Sequence, residues 1–103
     1  MTQYLVVLSI AGSDPSGGAG IQADLKTLSA LGVYAASVIT ALTVQNTCGV
    51  SRVVCVEPEV VEAQIRAVVS DLRPSVIKVG MVGSQAVLEA IVRTLRDVAG
   101  GVP

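Results

Sequence analysis

The stretch that most constrains this chain is Ala11–Asp24, AGSDPSGGAGIQAD. The run Tyr4–Ile10 (YLVVLSI) is apolar apart from Ser9 and leads directly into it. Such a run predicts a strand buried on both faces. Ile21, Leu25, Leu28 and Leu31 follow at helical spacing, and Gly32 stands where a helix C′ glycine belongs. Strand, glycine-rich turn and helix together form the layout by which α/β proteins bring backbone N–H groups against a small ligand. Ala11–Gly20 holds four glycines. That is longer than the ~2–6 residues a bare strand-to-helix connection takes, so a binding loop is expected rather than a plain surface turn.

The rest of the chain continues the alternation. Tyr34–Leu42 (YAASVITAL) predicts a second strand, closed by the polar cluster Thr43-Val44-Gln45-Asn46-Thr47. After Gly49, Val50–Val56 gives a third strand, whose Ser51 and Arg52 suit a sheet edge. Pro58 fits the first position of a helix. Its apolar stripe is Val60, Val61, Gln64, Ile65, Val68, Val69 and Leu72, and Pro74 ends it. Val76–Val79 is a short fourth strand broken by Lys78, and Gly80-Met81-Val82-Gly83 is its exit turn. Ser84 is the expected N-cap of a last helix, with Val87, Ala90, Ile91, Leu95 and Val98 facing inward and Gly100-Gly101 after it. The order β-α-β-β-α-β-α predicts an α/β fold, a mainly parallel sheet flanked by helices. At Val102-Pro103 the rhythm calls for another strand, as in an unfinished fold.

Composition narrows the function class. The 103 residues are 51% hydrophobic, nearly all aliphatic, with two Tyr and no Phe or Trp. That bias suits parallel strands under helices, and the length allows at most one domain. A net charge of −1 gives no electrostatic ground for nucleic acid or an anionic membrane as partner. Cys48 and Cys55 have no metal-like spacing, and the chain has no His, so two independent reduced thiols are expected rather than a zinc site or a disulfide. No basic leader precedes the first strand. No apolar run reaches the roughly 18–20 residues of a membrane span. The expected setting is the cytoplasm, and the expected partner is a small molecule.

Gly18–Ala23 (GAGIQA) matches the G-x-G-x-x-A pattern of dinucleotide turns, but seven residues separate Ile10 from Gly18. No acidic residue follows the second strand, and no Gly-Lys-Ser/Thr phosphate loop occurs. Dinucleotide binding is therefore disfavoured. Asp24 is expected in the first helical turn, where either the helix dipole or a ligand hydroxyl or amine would favour its carboxylate. Gln45 is either an ordinary loop residue or a recognition amide suited to an amino-bearing heteroaromatic ring. Met81 is either core filler or a ligand wall. In a parallel sheet the first, second and fourth strands end on one edge, so Asp24, Gln45 and Met81 are expected to converge there.

LSIAGSDPSGGAGIQADLKTLSALGVYAASVITALTVQNTCGV, and IKVGM further on, closely resemble the start of the bacterial hydroxymethylpyrimidine/phosphomethylpyrimidine kinases of thiamine biosynthesis. The resemblance runs through essentially the whole chain. It implies a partial ribokinase-like fold and transfer of phosphate from ATP, with Mg²⁺, to 4-amino-5-hydroxymethyl-2-methylpyrimidine and then to its monophosphate. It also implies that Gln45 hydrogen-bonds the pyrimidine, that Asp24 contacts the substrate, and that Val44, Met81 and Gly12 line the pocket. Members of the family are longer and usually homodimeric. The resemblance therefore makes residues 1–103 the N-terminal portion of one kinase domain, with no catalytic residue in the chain and the ATP-binding part expected beyond Pro103. Pyridoxal kinases, which share the fold, and a non-catalytic truncated binding fragment are the alternative readings. By itself such a portion is expected to be only marginally stable.

Overall fold

The computed structural model describes residues 5–103. The elements are β1 (Val6–Ser13), α1 (Gly20–Ala30), β2 (Tyr34–Asn46), β3 (Gly49–Cys55), α2 (Pro58–Leu72), β4 (Val76–Val79) and α3 (Gln85–Val98). Their order is the one the sequence predicts. Tyr4, the expected start of the first strand, and Met1–Gln3, where no basic leader is expected, lie outside the described residues.

The sheet runs β3-β2-β1-β4. β1 lies parallel to both β2 and β4, while β3 pairs antiparallel with β2 at the edge. Side chains on a strand alternate between faces, and β1 uses both. Leu8 and Ile10 join Ala36, Val38, Val61, Ile65, Val87 and Ile91 in a core beneath α2 and α3. Ser9 faces the other way and meets α1 through Asp24. Val60, expected on the buried stripe of α2, is exposed instead, because only Val61 and Ile65 of that helix are fully covered.

Local signals set the helix ends. At the end of α1 the N–H of Gly32 donates to Ser29 and that of Val33 to Leu28, a Schellman closure with Gly32 at φ 77°. Pro58 opens α2, and the Ser84 hydroxyl caps α3 by accepting from the N–H of Val87. α1 has no side-chain cap at Ala19. The two amides just before it, those of Gly18 and Ala19, are satisfied from within the loop.

Strand ends depart from expectation. β1 continues to Ser13 and β2 to Asn46, so Gln45 sits within a strand and not beyond one. The added length of β2 comes from its pairing with β3 over Ala41–Asn46. Both extensions carry a register shift, one at Ala11/Ser13 and one at Val44/Gln45. Such irregularities bend a strand and re-aim its side chains.

Candidate functional site

Past the first register shift, where β2 carries one more residue than β1, a cleft of about 270 Å³ opens at the ends of the two strands. Gly12, Asp14, Gly20, Thr43, Gln45 and Met81 all border it. The loop wall is built around Asp14, which is 3% exposed. One carboxylate oxygen accepts from the N–H of Ser16 at 2.9 Å and from its hydroxyl at 2.7 Å. The other accepts from the N–H groups of Gly18 at 3.2 Å and Ala19 at 2.9 Å. Asp14 thus fixes Gly18 and Ala19, the two residues that lead into α1. Gln22 completes the clamp: its Oε1 accepts from the N–H of Asp14 at 2.7 Å, and its Nε2 donates to the hydroxyl of Ser13 at 2.7 Å. Donors gathered onto the ionised form hold the Asp14 carboxyl below its usual value. The Ser16 hydroxyl leads, burial opposes it, and the amides of Ser16, Ala19 and Gly18 reinforce it.

The facing wall comes from β2. Thr43 and Gln45 are two residues apart on a strand and share a face, whereas Val44 points to the opposite one. Thr43 Oγ1 lies 2.7 Å from the carbonyl oxygen of Ser13 and 3.0 Å from Gln45 Oε1. Among the described residues the other end of the Gln45 amide has no protein partner. The floor is Met81, a residue 45% exposed whose carbonyl accepts from the buried Thr40 hydroxyl at 2.7 Å. A Cβ on Gly12 would come within 2.5 Å of the Met81 methyl carbon, so the glycine leaves room for the end of that side chain.

Of the five residues expected at the site, the structure brings three to the cleft: Gln45, Met81 and Gly12. Val44 does not border the cleft; it lines an adjoining groove with Gln45, Val50, Cys48 and Ser51. Asp24 is elsewhere as well. Because α1 begins at Gly20, Asp24 falls in the second helical turn, outside the reach of the helix N-terminus. Its carboxylate accepts from the Ser9 hydroxyl at 2.6 Å and from Lys78 Nζ at 2.8 Å. With Val7, Thr27, Leu28 and Lys78 it borders a cavity of about 150 Å³ that is distinct from the cleft. In this geometry Asp24 ties α1 to β1 and β4. The sequence reading missed Lys78 as its partner, since 54 positions separate the two. It also left Thr43 and Gln22 without a role. Cys48 and Cys55 are both free and exposed.

Burial alone would raise the Asp24 pKa, but the hydrogen bonds from Lys78 and Ser9 and the Lys78 charge outweigh it and hold the carboxyl below 3.8. A depressed carboxylate contributes stability that is present above its unfolded value and is lost as pH falls through the folded one. In Lys78→Met the burial effect is opposed by Ser9 alone. A carbon-detected NMR titration is expected to place the Asp24 inflection below 3.8 in the native protein and distinctly higher in the variant. Coincident inflections would show that the pair carries no such linkage.

A mixed α/β sheet whose parallel strands end at a glycine-lined cleft belongs to the ribokinase-like fold class. The comparisons with known proteins narrow this. The family model described as phosphomethylpyrimidine kinase matches residues 14–102. The hydroxymethylpyrimidine/phosphomethylpyrimidine kinase of Salmonella typhimurium is 55% identical over 94 residues, covering 91% of this chain and 35% of the relative. The crystal structure of phosphomethylpyrimidine kinase from Clostridium difficile 630 superposes with a TM-score of 0.88 at 51% identity, covering 91% of this chain and 41% of that one. A pyridoxal kinase from Staphylococcus aureus, solved with AMP-PCP and pyridoxal, superposes at 0.81 with 34% identity, covering 94% and 36%. The chain belongs to the phosphomethylpyrimidine kinase family, and it spans about a third of the length of the curated relatives it matches.

Proposed function

We propose that this chain forms the acceptor side of a kinase that phosphorylates 4-amino-5-hydroxymethyl-2-methylpyrimidine, and then its monophosphate, with ATP in thiamine biosynthesis. The observation that carries this reading is Gln45: one end of its amide is spent inside the protein, and the other is unpaired over a cleft floored by Met81 and Gly12. A side-chain amide above an apolar floor suits a flat ring with polar edge atoms. The family match and the 51–55% identity to pyrimidine kinases, against 34% to the pyridoxal kinase, support pyrimidine over pyridoxal as the acceptor. Asp24 and Val44 belong to the proposed site only through the resemblance, since neither reaches the cleft.

The residues in hand do not fit the phosphate donor. Among the described residues no three His, Cys, Asp or Glu side chains gather to hold a metal ion. No phosphate loop with Gly-Lys-Ser/Thr occurs in the sequence either. ATP and Mg²⁺ are assigned to the remainder of the kinase domain. Among the described residues no helix is long and apolar enough to cross a membrane.

Calorimetric titration of the full polypeptide with 4-amino-5-hydroxymethyl-2-methylpyrimidine tests the proposal. One molecule is expected to bind per cleft. Gln45→Leu, close in size but without polar atoms, is expected to weaken binding by roughly tenfold to a hundredfold through loss of one buried hydrogen bond. Equal affinity in the native protein and the variant would remove Gln45 from the site.

A further inference from the structure

We propose that Thr43 is a positioning residue that fixes which end of the Gln45 amide meets the ligand, so that the cleft selects a ring bearing a hydrogen-bond donor. The inference rests on the reading of the cleft as a pyrimidine site and adds to it the polarity of the recognition contact.

The argument is one of proton counting. Thr43 Oγ1 carries a single proton and stands 2.7 Å from the Ser13 carbonyl oxygen and 3.0 Å from the Gln45 side-chain oxygen. A backbone carbonyl can only accept, and it is the closer of the two, so it takes the proton. The Gln45 oxygen would then face the lone pairs of Oγ1. A half-turn about the last side-chain torsion, which is broad and roughly two-fold, exchanges the amide ends at little cost. Nε2 then donates to Oγ1, and every group in the chain from Ser13 through Thr43 to Gln45 is satisfied. Oε1 is left facing the cleft. Thr43 and Gln45 share one face of β2, and the contact from Thr43 to Ser13 ties that face to the end of β1. The orientation is therefore set by backbone already fixed in the sheet. An exposed acceptor pairs with an exocyclic amino group, whereas a ring oxo group in the same place would set two acceptors against each other.

The test compares 4-amino-5-hydroxymethyl-2-methylpyrimidine with its 4-oxo counterpart, titrated onto the full polypeptide as native protein, Thr43→Val and Thr43→Ser. The native protein is expected to prefer the amino compound by roughly tenfold to a hundredfold, the cost of opposing an unsatisfied polar group. In Thr43→Val the amide is free to present either end, and the preference is expected to fall severalfold toward unity. Thr43→Ser, which keeps the hydroxyl, restores it. A purely structural role would weaken both compounds together and leave their ratio unchanged, and that result overturns the inference while leaving the pyrimidine reading intact. Failure of the native protein to bind either compound overturns both. A measurement on the native protein alone guards against a misfolded variant. NMR is expected to show a through-space cross-peak between the Gln45 side-chain amide protons and the Thr43 β-proton, and its absence also overturns the assignment.

Discussion

Gly20→Ala is expected to destabilise the fold strongly and to weaken ligand binding. Gly20 has φ +58°, where an L side chain costs about 1–2 kcal/mol. The added Cβ would also land on the carbonyl oxygen of Gly12, backbone against backbone, with no rotamer to relieve it. Overpacking of that kind costs a further ~1–3 kcal/mol. Together these remove roughly 2–5 kcal/mol from a domain whose whole stability is on the order of 5–15 kcal/mol. The strain falls on Gly12, so the cleft distorts before the rest of the sheet does. Denaturant unfolding and calorimetric titration read the two consequences separately. Gly101→Ala is the control, because nothing lies within 4 Å of its Cβ position. If Gly20→Ala unfolded at the same denaturant concentration as Gly101→Ala, the close approach of loop and strand would be disproved.

Asp14→Ala is the second large effect, and it is local. Four hydrogen bonds end on this one carboxylate, and a methyl group accepts none of them. The amides of Ser16, Gly18 and Ala19 are expected to lose their protection from hydrogen exchange, while the core amides of β1 keep theirs. Because the same oxygen holds the amides of Gly18 and Ala19 just before α1, the start of that helix should loosen with the loop. In the native protein acid does the same thing reversibly. The depressed Asp14 carboxyl holds the loop at all pH values above 3.8 and releases it as pH falls through its own lower pKa. Exchange rates at Gly18 that were indifferent both to the substitution and to acid would refute this account of the loop.

Gly32, Pro58 and Ser84 show what kind of information the sequence carries plainly. Each acts on backbone within four residues of itself, so each helix end is legible from neighbours along the chain. Strand ends are not local in that sense. β2 reaches Asn46 because β3 returns alongside it, and the Thr43–Thr47 polarity that predicts a loop is also compatible with a paired, half-exposed hairpin. The site divides along the same line. Gln45 and Met81 follow from strand ends sharing an edge, which the alternation of elements implies, whereas Gly12 is legible only through the family resemblance. Asp24 is misplaced by that logic because its position depends on where α1 starts and on Lys78, 54 positions away. Val44 is misplaced because the extension of β2 imposes alternation where a loop would not.

The register shift at Val44/Gln45 has an evolutionary consequence. Across it, Val44 pairs with Arg52 but Gln45 pairs with Val50, leaving Ser51 as the extra residue of the hairpin. A strand has two faces, so adding or removing one residue before Gln45 would exchange the roles of Gln45 and its neighbour. The chemistry offered to a ligand is thus encoded in a count of residues as much as in their identity. Descendants of such a hairpin could acquire a different ligand preference through a single-codon insertion or deletion, with every side chain of the core retained.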